Sequence, residues 1–224
     1  MAGCFITFEG GEGAGKSTQI ERLRRRLEAL SQPVLVTREP GGSSYAEQVR
    51  SFILDGKAKH LGPFAEALLF AAARIDHVDK TIEPALKGGR HVLCDRFADS
   101  TRAYQGALGN LDPALIDSLE RIALRGVKPD LTFILDVPAE VGLTRAGLRR
   151  ADRGEGADRF EEEGSSFHQA LRQAFLSIAR AYPERCVVIH ADRPADEVEE
   201  IIWTNLSERL PRLARDIARP LDVA

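Results

Sequence analysis

The sequence predicts an α/β protein: a five-stranded parallel sheet with helices on both faces. Three observations carry this. Short apolar runs alternate along the chain with longer segments of helical periodicity, the pattern of a parallel sheet. The runs are nearly continuous in apolar residues, as strands covered on both faces require. The first run leads directly into Gly10-Gly11-Glu12-Gly13-Ala14-Gly15-Lys16-Ser17-Thr18, a glycine-rich stretch that opens a helix.

The expected strands are residues 4–9, 34–37, 91–94, 131–137 and 186–190. The first expected helix, 19–30, places Ile20, Leu23, Leu27 and Leu30 on one face. The next, 64–86, is helical in pattern with Pro84 as a point of interruption. Helices at 113–124, 139–148, 167–182 and 194–210 complete the set. The 224 residues fit one domain over 1–210, with an irregular segment over 149–159 and a tail over 211–224. The irregular segment is rich in Arg, Gly and acid.

Composition narrows the function. The chain is 43% hydrophobic and 29% charged, enough for a sizeable core. A net charge of −3 argues against a broad nucleic-acid surface. No apolar run approaches the ~18 residues of a membrane span, and the start lacks a basic region followed by an apolar one. A cytoplasmic protein is expected. Cys4, Cys94 and Cys186 lie far apart inside apolar runs, which reads as buried free thiols. The five histidines show no metal-ligand spacing, and Trp203 is expected in the core.

Residues 10–17 match G-x-x-x-x-G-K-[ST] between a strand and a helix, the context of a phosphate-binding loop. The glycines let backbone N–H groups turn inward around a phosphate, and the helix N-terminus adds partial positive charge. Lys16 is placed to reach β- and γ-phosphates, and Ser17 to ligate Mg²⁺. The stretch therefore holds a nucleoside triphosphate, but switches, motors and kinases all share it. Ligands of such sheets bind beyond the carboxyl ends of the strands. There the sequence places Thr37-Arg38-Glu39-Pro40-Gly41-Gly42, then Asp95-Arg96-Phe97, then Ser100-Thr101-Arg102-Ala103-Tyr104-Gln105-Gly106. Two arginines beside two carboxylates point to a second anionic substrate with a metal or water network. A structural Asp95–Arg96 pair is the other reading. The sequence has no guanine-reading N-K-x-D and no L-S-G-G-Q-like signature, which argues against a switch GTPase and an ABC-type ATPase.

Taken together, F-E-G-G-E-G-A-G-K-S-T, T-R-E-P-G-G, L-L-F-A-A-A-R, D-R-F, S-T-R-A-Y-Q-G and L-D-V-P-A-E-V-G-L-T-R, with a later D-R-F-E, resemble the bacterial thymidylate kinases. The motifs run in family order from residue 5 to about residue 161. The resemblance implies transfer of the γ-phosphoryl group of ATP to dTMP, giving dTDP, with Mg²⁺ and in a homodimer. It implies that Gly10 to Thr18 and Arg145 bind ATP. It implies that Glu12, Arg38, Phe70, Arg74, Arg96, Ser100, Thr101, Tyr104 and Gln105 bind dTMP. Phe70 and Arg74 are one helical turn apart, so a ring to stack on thymine and a guanidinium to meet its O4 share a face; a core Phe and a surface Arg is the competing reading. Ser17, Asp95 and Glu39 are the expected metal-side residues, the two carboxylates acting through water.

The nucleophile on dTMP is already an anionic oxygen, so no general base is required, and catalysis reduces to positioning and charge neutralisation. Lys16 and Arg96 are the first candidates. Some family members carry an arginine in the phosphate loop where this chain has Gly13. The resemblance then turns attention to Arg149, Arg150 and Arg153 in the lid as the missing cation, against the alternative of a solvated charged loop. Two other functions stay open: a kinase for another nucleotide or nucleoside, and an ATP-hydrolysing switch.

Overall fold

A parallel five-stranded sheet in the order β2-β3-β1-β4-β5 forms the centre of the protein. Its strands are β1 (Phe5–Glu9), β2 (Val34–Arg38), β3 (His91–Asp95), β4 (Leu131–Asp136) and β5 (Cys186–His190). The architecture comes from a computed structural model that describes residues 2–154, 156 and 159–215. All five expected strands are present, with ends shifted by a residue.

Alternation along β1 sorts its side chains between two faces. Ile6 and Phe8 pack with Ile20, Leu23 and Leu27 of α1 (Lys16–Ala29) and with Val198, Ile202 and Leu206 of α9 (Ala195–Arg209). Phe5 looks the other way, onto Val78, Ile82 and Phe97. Further along that second face, Ile134 of β4 packs with Phe175 and Ile178 of α8 (Ser165–Ala181). Burying both faces of the sheet makes its strands read as apolar runs. Trp203 is partly buried at the edge of the first cluster, with the Arg26 guanidinium 4.3 Å above its ring. The three cysteines are buried and free.

The helical run expected at 64–86 is α3 (Gly62–His77), a π-helical turn at Val78–Ile82 and α4 (Glu83–Lys87). The widened turn lies immediately before Pro84, whose missing N–H cannot close an ordinary helical turn. Two α-helices among the described residues were not expected. One is α2 (Ser44–Leu54); the other is the short α5 (Ala98–Thr101), continued by a π-helical stretch at Arg102–Leu108. The remaining helices are α6 (Pro113–Leu124) and α7 (Ala139–Arg153).

Helix α7 corrects the lid. Residues 149–153, expected to be irregular, continue the helix, so Arg149 and Arg150 stand on its last turns. Alanine, leucine and arginine are good helix formers and no breaker intervenes before Gly154, which ends the helix in the left-handed region at φ 64°. The Arg153 side chain and lid residues 155, 157 and 158 lie outside the described residues, as do tail residues 216–224. The described part of the tail is a short turn, Pro211–Ala214, with Leu213 buried.

Candidate active site

A cleft of about 550 Å³ opens beyond the carboxyl ends of β1, β2 and β3. Its floor is the phosphate loop. Glu12, Gly13, Ala14, Gly15, Lys16, Ser17 and Thr18 all line it. Gly15 takes a left-handed conformation, φ 92°, that turns the chain into α1 and leaves the helix N-terminus facing the cleft. Gly13 is required by packing as well as by its φ of 63°: a Cβ there would lie 1.9 Å from the Gly142 carbonyl oxygen of α7. The contact is reciprocal, since a Cβ on Gly142 would lie 2.3 Å from the Glu12 carbonyl oxygen. The absence of an arginine at residue 13 thus has a steric reason here.

Lys16 is buried, and its Nζ donates to the carbonyls of Gly10 at 3.2 Å and Gly11 at 2.9 Å. Burial, then the Arg96 guanidinium, pulls its pKa below the ordinary value. The Ser17 hydroxyl donates to Asp95 Oδ2 at 2.8 Å. This leaves the oxygen's lone pairs for a hard cation with Asp95 beside it.

On the acceptor side, Arg96 leaves the end of β3 with a left-handed φ of 65°. Its Nη2 donates to Glu12 Oε1 at 2.5 Å, and its Nη1 donates to Gly10 O at 3.0 Å and Ser100 Oγ at 3.3 Å. The guanidinium stands 5.4 Å from the centre of the Tyr104 ring, whose hydroxyl donates to Glu12 Oε1 at 3.2 Å. Burial alone would raise the Glu12 pKa, but Arg96 and then Lys16 outweigh it and hold the carboxyl down at about 2.

The cleft also brings together Arg38, Phe70, Arg74, Ser100, Thr101, Tyr104 and Gln105. Arg38, at the tip of β2, is exposed and paired with Glu47 at 3.1 Å. Arg74 is buried, contrary to the surface reading its sequence left open. Its Nε donates to Glu39 Oε2 at 2.7 Å and its Nη2 to Thr101 Oγ1 at 3.1 Å. Glu39, expected on the metal side through water, is here the partner of Arg74. Its other oxygen faces His77 Nδ1 at 3.1 Å, so both oxygens are engaged in orienting α3. Asp95 and Ser17 stay together on the floor of the cleft.

From α7, Arg149 and Arg150 line the cleft, and both donate to Glu161, the latter at 2.6 Å. Arg145, one turn earlier on α7, is not among the lining residues; it donates to Ala191 O at 3.2 Å and pairs with Asp192.

Sequence reasoning missed Arg50 and Glu161, which line the cleft, and Glu9 behind it. Arg50 rides on α2 and donates to the Pro40 carbonyl at 2.8 Å. The apolar spacing of Ala46, Val49 and Ile53 was the signal that could have revealed that helix. Glu161 belongs to the D-R-F-E piece and carried no local sign of two arginine partners.

A phosphate loop after the central strand of a parallel sheet, sharing one cleft with a second cationic wall, defines a phosphate-loop kinase of the nucleoside monophosphate type. The thymidylate kinase family model matches residues 8–202. The thymidylate kinase of Bradyrhizobium diazoefficiens is 58% identical over 209 residues, covering 93% of this chain and 90% of the relative. That of Nitrobacter hamburgensis is 56% identical over 211 residues, covering 94% and 90%. The crystal structure of thymidylate kinase from Ehrlichia chaffeensis superposes with a TM-score of 0.72 at 35% identity, covering 92% of this chain and 99% of that one. This chain belongs to the thymidylate kinase family.

Proposed function

We propose that the protein phosphorylates dTMP to dTDP with ATP as the donor, in one cleft that holds both nucleotides. The observation that carries this is the shared cleft itself: Lys16 on the phosphate loop and Arg96 on the end of β3 meet around Glu12. A cation for the donor and a cation for the acceptor are thus held apart by one carboxylate. In phosphoryl transfer the protein's main task is to place two polyanions in line and neutralise the moving group. Lys16 lies with the donor phosphates. Arg96 and Arg38 meet the acceptor phosphate, where a planar guanidinium matches phosphate geometry. Phe70 stacks on thymine, Arg74 donates toward its O4, and Tyr104 crowds the 2′ position against ribose.

Mg²⁺ fits this donor set. The described residues contain no cluster of three or more His, Cys, Asp or Glu side chains able to hold a metal ion. Mg²⁺ commonly takes one or two protein oxygens and completes its shell with water and substrate phosphates. Ser17 would hold it, with Asp95 acting through water. Bound there, it would supply positive charge to neutralise the donor phosphates. Arg149 and Arg150 are the cations we assign to the moving phosphoryl group, leaving Glu161 when the cleft fills.

We also infer a homodimer working in the cytoplasm. Phe64 and Leu68 are exposed one turn apart on α3, with exposed Phe52 on the neighbouring α2, an apolar face suited to a second copy. No helix among the described residues is long and apolar enough to cross a membrane.

The test is to mix the protein with Mg-ATP and a panel of nucleoside monophosphates and follow ADP. Strong stimulation by dTMP is expected. Slow hydrolysis indifferent to every nucleotide would instead mark an ATP-driven switch.

A further inference from the structure

Glu9 ends β1, one residue before the phosphate loop, and the reaction as described gives it no part. It follows Phe5 and Thr7 to one face of the sheet, and it is fully buried there. A buried carboxylate survives only with partners, and both of its oxygens have one. Oε1 accepts from the Phe97 backbone N–H at 2.7 Å, and Oε2 accepts from Ser100 Oγ at 2.6 Å.

These two donors bracket the turn that Arg96 opens. At φ 65°, Arg96 holds a left-handed conformation that is unfavourable for a non-glycine residue and persists only where its surroundings enforce it. The backbone N–H of Arg96 is tied to Phe8 O at 2.9 Å, and the next N–H, that of Phe97, is tied to Glu9. The side chain is held by the same group at one remove. Arg96 Nη1 donates to Ser100 Oγ, and that hydroxyl donates to Glu9 Oε2. Burial, then Asp99, pushes the Glu9 pKa up to about 7, yet each of its oxygens faces a donor, and the ionised carboxylate is the form that accepts from both and gives the chain one direction.

We propose that Glu9 is a positioning residue for phosphoryl transfer: its carboxylate holds the Arg96 turn and directs the Arg96–Ser100–Glu9 chain that aims the guanidinium at the acceptor phosphate. The proposal rests on the reading that Arg96 meets that phosphate. An amide cannot replace the carboxylate. Turned one way, its N–H₂ faces Ser100 Oγ, which must then accept from both sides and leave its own hydrogen unpaired. Turned the other way, the N–H₂ faces the Phe97 N–H. The first orientation reverses the chain and strands the Ser100 hydrogen; the second sets a donor against a donor.

The experiment is steady-state kinetics of the full chain carrying Glu9→Gln, Arg96→Ala or both, with ATP and dTMP varied separately. We expect Glu9→Gln to lower kcat/KM for dTMP about tenfold or more while KM for ATP stays within about twofold. We expect little further loss when it is added to Arg96→Ala, because groups acting through one another are not additive. Ser100→Ala cuts the same chain from the cleft side and should show the same split with a smaller loss. If Glu9→Gln does not fold, Ser100→Ala added to Arg96→Ala decides the matter: little further loss supports the chain, and losses that multiply overturn it. ATP and dTMP parameters that worsen together, or losses that multiply in the double variant, overturn the proposal. If Arg96→Ala alone leaves dTMP kinetics unchanged, the acceptor-phosphate reading fails first and takes this one with it. A damaged Arg96→Ala beside an unaffected Glu9→Gln overturns only the role of Glu9.

Discussion

Charges in the cleft act in pairs. Lys16 is held by two loop carbonyls and kept from water, so its charge is ready where phosphates arrive. Lys16→Ala should leave a folded protein whose turnover at saturating ATP falls on the order of 10²–10³-fold, as for other single transition-state contacts. Near-normal turnover would overturn the phosphate-loop assignment. Glu12 makes a separate prediction about pH. Its folded pKa of about 2 lies below the ordinary 4.5, so the stability it contributes is fully present above pH 4.5 and lost as pH falls toward 2. The shift corresponds to roughly 3 kcal/mol at most. The Tm gap between wild type and Glu12→Gln should therefore narrow between pH 6 and pH 3. A gap that is constant with pH would mean the Arg96–Glu12 pair is not held in solution.

At the scale of elements, α7 serves the site twice. Its first half supports the phosphate loop through the Gly13–Gly142 approach. Gly142→Ala adds only a methyl group and suits a helix, yet that methyl would press on the Glu12 carbonyl. ATP affinity should fall at least about tenfold, more than a surface helix substitution would cause; unchanged affinity, measured by calorimetry, would show that the loop simply shifts. The last turns of α7 carry Arg149 and Arg150 into the cleft. A cation that acts only on the transition state lowers turnover without touching ground-state binding. The double replacement Arg149→Ala, Arg150→Ala should cost about 10² or more in kcat, with ATP and dTMP affinities little changed. Turnover within about twofold of wild type would place the cation for the moving phosphoryl group elsewhere. Lost ATP affinity without lost turnover would make both arginines ordinary nucleotide clamps.

For the whole molecule, the sheet places the site beyond its strand ends while the α2–α3 side exposes Phe52, Phe64 and Leu68. Phe64→Glu with Leu68→Glu places two charges on that face and should shift the protein from dimer to monomer in light scattering. A monomeric wild type, or a double variant that still dimerises, would remove this face as the interface.

The order of motifs was legible in the sequence because each is local. Residues 10–17 announce a phosphate loop by spacing alone, and the apolar runs announce strands because both faces of the sheet are buried. Phe70 and Arg74 were legible as neighbours on one helix face because one turn separates them; their part in binding a nucleotide came only from the family resemblance. What lay across the sheet was not legible. Glu9 meets Phe97 over 88 residues of sequence, and Glu39 meets Arg74 over 35. Only folding revealed that Glu39 orients an arginine, that Arg50 reaches the cleft on α2, and that the lid begins as helix. The physical reason is common to all of them. A strand or a loop is set by the side chains next to one another in sequence, but whether a buried carboxylate faces a metal, an arginine or a backbone N–H depends on which distant segment packs against it.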